Sequence, residues 1–407
     1  QPGSLAAQFG CYYGAKGGVV TYCEDNAGHP KTLLAVRTAH GMVLGWRHLM
    51  RHDLRQPVAL SFPVVAGVFR GAAGTATDWR DAAAIYKAWA LQQPWCVKRL
   101  AERDDLPAWL KQGPAQVRFG REWLGQPERI EAWLDKYWTR HFEGVPLIVT
   151  FWGWEGVATW VPPQYFPPYP SEDGLQRCVA AVKRAGGHAF FWPSGYQWCL
   201  SYGKREDGSF EWEDRARFER EAQPHAMVGK DGKVMLSNPP WYRGGEAATL
   251  CRGDRWSRDW LTGIAVGLAQ RGGELFQIDQ VVGAGMRGGG DCRTTTHGHP
   301  PGIGIWDVEA AHRQMTEMQA ACRAAGVNMV LGYEEPQEWF LQEVGIQDYR
   351  DYEVLRRSQV PPHRPESVFG YLYHEFVPLF QSNPRADDRE MTAHSIVTGQ
   401  MPHLVPH

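Results

Sequence analysis

The sequence predicts an α/β protein whose larger part is a (β/α)8 TIM-type barrel, preceded by a β-sandwich-like segment. Two observations lead to this prediction. Short apolar strand segments alternate with amphipathic helices after residue 114, and polar or aromatic residues follow nearly every strand. Such alternation is typical of a parallel sheet covered by helices, and in a barrel the loops after the strands converge on one face. No GxGxxG or Walker motif follows the first strand, which disfavours a nucleotide-binding sheet.

The composition is that of an ordinary globular chain. It has 407 residues, of which 43% are hydrophobic and 22% charged, and its formal net charge is −2. We expect no nucleic-acid partner because there is no basic stripe, and no membrane span because no apolar run approaches ~20 residues. Compartment and oligomeric state are left undecided. Eight cysteines are dispersed without CxxC spacing, which argues against a structural zinc site and against a disulfide-dense scaffold.

The first part of the chain, residues 1–92, is expected to be a β-rich segment, the end of a β-sandwich, with a connecting helix. KTLLAVRTAHGMVLGWRHLM and QPVALSFPVVAGVFRG carry β-branched and aromatic residues between Gly and Pro breaks. The segment DWRDAAAIYKAWALQQPWC then predicts a helix that Asp78 caps and Pro94 stops. A connector at 93–114 leads into the barrel domain at 115–407.

The barrel strands are assigned in chain order from their apolar runs. AQVRFGRE, PLIVTFWGWE and GGHAFFWPSG are the first three, and ELFQID, VNMVLGYEE and SVFGYLYHEF are the fourth to sixth, after an insertion at about 201–250. The last segment, HSIVTGQMPHLVPH, supplies at most one more strand. The barrel is therefore expected to be incomplete in this chain, or to close through strands that the sequence does not reveal.

Two acids stand at the ends of neighbouring strands, Asp279 after the fourth and Glu334 after the fifth. Side chains at adjacent strand tips can meet across one pocket, and glycoside hydrolysis requires two such carboxyl groups, one as nucleophile or base and one as acid. The register favours Glu334 over its neighbour Glu335 as the inward group, with Glu335 extended before a proline. Alternatively, Asp279 could cap a turn or bind Arg287.

Aromatic residues concentrate where loops are expected. The chain has 19 Trp, 15 Tyr and 16 Phe, and flat rings at the mouth of a pocket suit the C–H faces of sugars. At least one of Trp154, Trp192 and Trp198 is expected to be a stacking platform. The substrate-binding candidates are Trp152, Trp154, Glu155, Trp192, Tyr196, Trp198, Asp291, His297, His299, Glu335, His374 and Glu375. A salt bridge for Glu155 and a plain surface loop around Asp291 are the simpler alternatives.

The HGH stretch raises a metal-site hypothesis, because a His-x-His pair such as His297 and His299 can bind zinc. Such a pair needs further ligands and a rigid element, whereas this loop is rich in glycine. Substrate contact or a plain surface loop is therefore favoured over metal binding. We predict no metal ligand and no cofactor.

Several segments resemble a known enzyme family over roughly residues 70–380. FWGWE, LFQIDQ, GYEEPQEW and FGYLYHEFVP, with DWRDAAAIYKAWALQQPWC ahead of them, are similar to bacterial barrels related to the endo-α-N-acetylgalactosaminidases of glycoside hydrolase family 101. The resemblance implies a β-sandwich before the barrel, Asp279 as the nucleophile and Glu334 as the acid/base. The Gly-rich stretch GAGMRGGGDCRTTTHGHP departs from a short strand–helix–strand unit. If Glu375 were the acid, the pair would span strands four and six, as in α-galactosidase barrels.

The leading hypothesis is a retaining glycosidase that acts on an α-linked sugar of the galactose or N-acetylgalactosamine type, with an oligosaccharide or glycan as substrate. The second is a metal-dependent hydrolase that uses His297, His299 and Asp279. The third is a non-catalytic barrel that binds carbohydrate.

Overall fold

The N-terminal part of the chain forms two small antiparallel sheets. The computed structural model describes residues 6–49, 57, 59–158, 163–280, 290–352 and 366–406. The strands here are β1 (Phe9–Gly14), β2 (Gly17–Cys23), β3 (Lys31–Thr38), β4 (Gly41–His48) and β5 (Val64–Phe69). One sheet has the order β1-β2-β5, and β3 pairs with β4. The two sheets are in contact, since Trp46 Nε1 donates to Thr21 Oγ1 at 3.0 Å.

Helix α1 (Trp79–Ala90) leads from these sheets to the barrel and begins where the sequence predicts. Asp78 accepts from the backbone of Arg80, and the side chain of Asp81 accepts from the backbone of Asp78, which completes a capping box. One face of the helix is buried, as its apolar spacing requires. Three short 3₁₀ helices follow, Pro94–Cys96, Leu100–Glu102 and Ala108–Gln112.

Eight parallel strands form the barrel, in agreement with the predicted fold class. Its first three strands are β6 (Ala115–Phe119), β7 (Leu147–Phe151) and β8 (Gly187–Phe191). An insertion carries β9 (Gln197–Cys199), β10 (Ser201–Lys204), β11 (Phe210–Glu213), β12 (Leu236–Ser237) and β13 (Ala247–Thr249). The remaining barrel strands are β14 (Gly273–Ile278), β15 (Val330–Glu334), β16 (Ile346–Asp348), β17 (Leu379–Phe380) and β18 (His403–Leu404). Their order in the sheet is β17-β16-β15-β14-β8-β7-β6-β18, so PLIVTFW and LFQID lie in one parallel sheet.

The two ends of this sheet meet, so of the two alternatives the barrel closes through strands that the sequence does not reveal. Strand β18 pairs with β6, His403 lying opposite Gln116. At the other end of the sheet, an isolated parallel bridge joins Phe380 of β17 to Met401, two residues before β18. The segment HSIVTGQMPHLVPH thus contributes a helix and the closing strand.

The predicted sixth strand, SVFGYLYHEF, is also corrected. Residues Val368–Tyr373 form a helix, and the sixth and seventh strands are Ile346–Asp348 and Leu379–Phe380. These strands have three and two residues, too few to show an alternating pattern in the sequence. The composition of the helix is typical of a strand, but its burial against the barrel decides its conformation.

Helices cover the outside of the barrel. After α1 they are α2 (Arg121–Leu124), α3 (Pro127–Trp133), α4 (Thr139–His141), α5 (Glu172–Arg184), α6 (Arg215–Glu221), α7 (Arg255–Gln270), α8 (Trp306–Ala324), α9 (Val368–Tyr373) and α10 (Arg389–Val397), with a π-helical stretch at Leu134–Trp138. Short 3₁₀ helices lie at Gln223–His225, Pro240–Tyr242 and Glu338–Phe340. None of the helices in the described part of the chain is long and apolar enough to cross a membrane.

The barrel interior changes from apolar to polar along the strands. Ile148, Phe190 and Leu275 belong to one buried apolar cluster. Two residues further along β7 and β14 are Thr150 and Gln277, both fully buried. Because side chains alternate across a strand, the next inward position on β14 is the one that follows Ile278. The alternation of side chains along β14 therefore points the acid that follows the strand, Asp279, toward the barrel axis.

A buried carboxyl group joins the N-terminal part to the barrel. Glu338 Oε2 accepts from Tyr86 OH at 2.7 Å and from Tyr373 OH at 2.6 Å, and Tyr86 OH accepts from Gln8 N at 3.2 Å. Burial raises the pKa of Glu338 to about 7, although the tyrosine hydroxyls act in the opposite direction. The contact therefore holds the residue before strand β1, helix α1 and helix α9 around one weak acid.

Glu338→Gln should make the fold less sensitive to pH. The folded pKa of Glu338, about 7, lies above its ordinary value of 4.5, so its stabilising effect is present below pH 4.5 and is lost as the pH rises through 7. From about pH 4 to about pH 8, wild type should lose up to about 3 kcal/mol of unfolding free energy relative to this variant. Urea unfolding at both pH values measures the difference. Glu309→Gln, at an exposed position, should follow wild type; a Glu338→Gln curve parallel to wild type would contradict the interpretation.

Candidate active site

The carboxyl ends of three neighbouring strands carry one acid each. Asp279 directly follows β14, and Glu334 and Asp348 are the last residues of β15 and β16. Glu334 pairs with Asp348 in the register, and Ile278 pairs with Tyr333. Parallel strands in this register place all three acids at the same end of the barrel, the end at which TIM-barrel enzymes carry their active sites.

One guanidinium contacts all three acids. Arg350 Nη2 lies 2.6 Å from Asp348 Oδ2 and 3.8 Å from Asp279 Oδ1, and Arg350 Nη1 lies 3.1 Å from Glu334 Oε1. Its Nε donates to Asp348 Oδ2 and to Ser382 Oγ, both at 2.8 Å. The acids are 0–7% exposed, so their charges are removed from water and depend on this cation.

The electrostatics of this group are dominated by burial. Burial and the charge of Glu334 raise the pKa of Asp279 well above its usual value, and the charge of Arg350 opposes this rise. Burial would lower the pKa of Arg350, but the charges of Asp348, Glu334 and Asp279 outweigh it and raise that pKa well above its ordinary value. Asp279 therefore holds a proton to higher pH than a solvated aspartate, while Arg350 stays charged.

The backbone of Asp279 is held by the loop that follows β8. A Cβ atom at Gly195 would lie 1.8 Å from the carbonyl oxygen of Asp279, so only glycine fits there. Gln280 has a φ of 51°, in the left-handed region, and its side-chain amide lies against Ser194 O at 3.3 Å and Trp241 Nε1 at 3.1 Å. A non-glycine residue in this conformation persists only where its surroundings hold it. The acid thus stands on a fixed backbone.

Sequence reasoning found two members of this group and missed two. Asp279 and Glu334 both contact Arg350, and their catalytic roles stay a prediction. The sequence does not predict Asp348 and Arg350 because GIQDYR is too short to indicate a strand, although its apolar residue and aspartate repeat the pattern of LFQID. Arg287, suggested as the cation beside Asp279, lies outside the described residues, and Arg350 supplies a positive charge.

The tryptophans expected to include a sugar platform lie in the core. Their exposed fractions are between 0% and 2% for Trp154, Trp192 and Trp198. Trp154 stacks on Tyr165 with ring centroids 5.4 Å apart, and Trp198 packs on Trp260 at 5.5 Å. Trp192 packs against Trp152 at 5.2 Å. This packing leaves the three rings no open face, so the expectation of an exposed stacking platform is corrected.

The other substrate-binding candidates near these rings differ in how deeply they are buried. Trp152 is half-buried, and Glu155 is fully buried. The hydroxyl of Tyr196 donates to Gln314 Oε1 at 2.5 Å, which ties the loop after β8 to helix α8. Glu335 is half-buried with a φ of 58°, so it adopts the left-handed conformation and not the extended one that was expected. Of these residues, Trp152 and Glu335 retain partial exposure.

From residue 290 onward, where the structure describes the loop after Asp279, the polar candidates have partners other than the three acids. Asp291 pairs with Arg293, whose Nε lies 2.6 Å from Asp291 Oδ1. His297 and His299 form a buried group with two cysteines. Asp291 therefore has an ion-pair partner in its own loop, and His297 and His299 belong to a group of metal-ligand type. These are the three loop residues that the sequence predicts to contact substrate.

The two candidates near residue 375 lie at the opposite end of the barrel. His374 and Glu375 follow helix α9 and precede β17, so they approach the amino end of that strand. Glu375 Oε2 lies 3.4 Å from Arg99 Nε, and the carbonyl of Glu375 accepts from Leu100 N at 2.8 Å. Glu375 cannot pair with Asp279 across the strand tips, so the alternative in which Glu375 is the acid is wrong; the acid at the tip of the sixth strand is Asp348.

The fold and the acids define a class: a (β/α)8 barrel with a group of buried acids at the carboxyl ends of adjacent strands. The chain belongs to the family described as a domain of unknown function, DUF6259, whose family model matches residues 58–382. No curated protein is similar to it in sequence. The finer resemblance to glycoside hydrolase family 101 stays a prediction.

Solved structures show where the same fold occurs. The α-N-acetylgalactosaminidase NagBb from Bifidobacterium bifidum is similar with a TM-score of 0.67 and 15% identity, over 99% of this chain and 65% of that protein. The α-galactosidase TtGalA from Thermus thermophilus is similar with a TM-score of 0.56 and 14% identity, over 98% of this chain and 71% of that one. At these identities the likeness is one of fold, and the chain spans under two thirds of the length of NagBb.

Arg350→Gln should destabilise the fold, because three buried acids would lose their shared cation. We expect a loss of about 3 kcal/mol in unfolding free energy at neutral pH, measured by urea unfolding. The double variant Arg350→Gln/Asp348→Asn also removes the acid closest to the cation and should recover part of that loss. If Arg350→Gln unfolds within about 1 kcal/mol of wild type, the guanidinium does not hold the group together.

Proposed function

We propose that the chain is a glycoside hydrolase that cleaves an α-linked sugar of the galactose or N-acetylgalactosamine type with two carboxyl groups and retention of configuration. The observation that carries the proposal is the placement of Asp279 and Glu334 at the tips of adjacent strands, in contact with one guanidinium. The similarity in fold to an α-N-acetylgalactosaminidase and an α-galactosidase supports the sugar class.

In this mechanism Asp279 attacks the anomeric carbon while Glu334 protonates the departing oxygen, so the glycosidic bond breaks and a glycosyl ester forms on Asp279. Glu334 then takes a proton from water, whose hydroxyl displaces Asp279 and restores both groups. The positive charge of Arg350 favours the ionised form of Asp279 that attack requires. Retention needs carboxyl groups about 5–5.5 Å apart, whereas about 6.5–9.5 Å would mean inversion with Asp279 as base.

The two rival functions have less support. A metal-dependent hydrolase would need His297, His299 and Asp279 together, whereas the group that the described residues form joins the two histidines to Cys251 and Cys292. A barrel that only binds sugars would rely on exposed rings, but Trp154, Trp192 and Trp198 are buried. A group of buried acids that share one cation is therefore better explained by catalysis than by sugar binding alone.

Substitution of the two acids should separate their roles. Asp279→Asn should lower kcat at least ~10³-fold with substrate affinity largely kept, because the nucleophile is lost. Glu334→Gln should cost ~10²-fold or more on natural glycans but far less on aryl α-glycosides, whose leaving groups need no proton. Steady-state kinetics and NMR of the first-formed anomer are the measurements. Asp207→Asn, in an exposed turn, serves as control; near wild-type turnover by Asp279→Asn would remove it from the mechanism.

The pH profile should report the burial of Asp279. Because burial raises the pKa of Asp279, the acid limb of kcat/KM should lie well above the ~3.9 of a solvated aspartate. Arg350→Gln removes the charge that lowers this pKa, so the limb should move to higher pH. Ser382→Ala removes a contact of Arg350 but keeps its charge and should leave the limb near its wild-type position. A limb that moves to lower pH in Arg350→Gln would contradict this reading of the site.

A further inference from the structure

A second buried group of reactive side chains lies in the segment that follows Asp279. Cys251, Cys292, His297 and His299 are all buried, and one possible ligand atom from each lies within 4.8 Å of the others. Cys251 Sγ is 3.1 Å from His299 Nε2, and Cys292 Sγ is 3.6 Å from His297 Nδ1. Two sulfur and two imidazole donors are a ligand set that structural zinc sites use.

The outer nitrogen of each imidazole has a backbone partner. His297 Nε2 lies 2.8 Å from Pro224 O, and His299 Nδ1 lies 2.9 Å from Pro300 O. A carbonyl accepts only from N–H, so these contacts assign the ring proton to the outer nitrogen. The inner nitrogen of each ring then presents its lone pair to the sulfur atoms, as in metal-binding histidines with a carbonyl behind them.

The surroundings hold the group in place. The ring of His299 stacks on Trp306 with centroids 3.7 Å apart, and Trp306 Nε1 donates to Gly302 O at 2.8 Å. A Cβ atom at Gly253 would lie 2.3 Å from His299 Cδ2, so a glycine at position 253 leaves the room that the imidazole ring needs. These contacts fix the position of the His299 ring, although the loop is rich in glycine.

The distances between the donor atoms suit one ion at the centre. Zinc bonds of about 2.0–2.3 Å in a tetrahedron place neighbouring ligand atoms about 3.3–3.8 Å apart. The 3.1 Å and 3.6 Å separations of the two S···N pairs need only small shifts to reach these values. Two thiolates and two neutral imidazoles also balance the charge of Zn²⁺, which a buried site requires.

We propose that Cys251, Cys292, His297 and His299 bind one zinc ion as a closed, tetrahedral structural site. Binding releases the two thiol protons to solvent and forms two Zn–S and two Zn–N bonds. All four positions belong to the protein, so the ion has no open position for water or substrate and is not catalytic. The zinc ion links the segment after Asp279 to the end of the insertion. Cys251 lies at that end, separated from helix α7 by a short turn.

Zinc content tests the proposal on the whole protein. Protein purified without chelator should contain about one zinc per chain, measured by elemental analysis. Cys292→Ser and His299→Gln should each reduce this to below about 0.1 per chain after desalting. Cys322→Ala removes another buried thiol, from helix α8, and should keep the full zinc content.

Cobalt replacement keeps the test independent of the folding of any variant. Wild type stripped of metal and refilled with Co²⁺ should show tetrahedral d–d absorption in the visible and a thiolate-to-cobalt charge-transfer band in the near ultraviolet. Wild type that retains neither zinc nor cobalt after incubation and desalting would overturn the site. Full zinc retention by folded Cys292→Ser would overturn it as well.

Discussion

Three buried acids share one cation at one end of the barrel, and the contacts of Arg350 with them are the interaction on which that end of the structure depends. Charges removed from water are tolerated only when they are paired and hydrogen-bonded. The guanidinium also contacts Ser382, so it joins the ends of strands four to seven. Strands β16 and β17 are too short to hold their register through ladder hydrogen bonds alone. The ion group fixes their tips, and the same contact serves both stability and the proposed chemistry.

The parts of this arrangement that the sequence predicts are those with long local signals. Strands β14 and β15 are apolar runs that end in an acid, and their order along the chain makes them neighbours, so Asp279 and Glu334 could be paired in advance. Strand β16 gives no such signal because three residues carry no period. The helix Val368–Tyr373 has the aromatic composition of a strand, and only its packing in the fold decides otherwise. Arg350 is not predicted because it follows strand β16, which the sequence does not reveal.

The cysteine–histidine group was missed for a different reason. Motif rules look for ligands close together in sequence, but Cys251 and His299 are 48 residues apart and meet only because the insertion folds back onto the loop. The tryptophans show the converse error: a ring expected at a loop mouth, such as Trp154, is fully buried. Sequence position indicates which loop a residue follows, but the depth of a side chain depends on neighbours distant in the chain.

The hydrogen bonds around Glu338 bear on how such chains recombine. Tyr86 comes from the N-terminal helix, whereas Glu338 and Tyr373 come from the barrel, so this small polar contact lies across the two parts. A barrel joined to a foreign N-terminal segment would keep the acid but lose one of its two donors, and a buried acceptor without a partner is costly. Exchange of N-terminal segments among relatives would therefore succeed only where the new segment supplies a hydroxyl at position 86 for the carboxyl at position 338. The alternative is a pair in which both positions carry apolar residues.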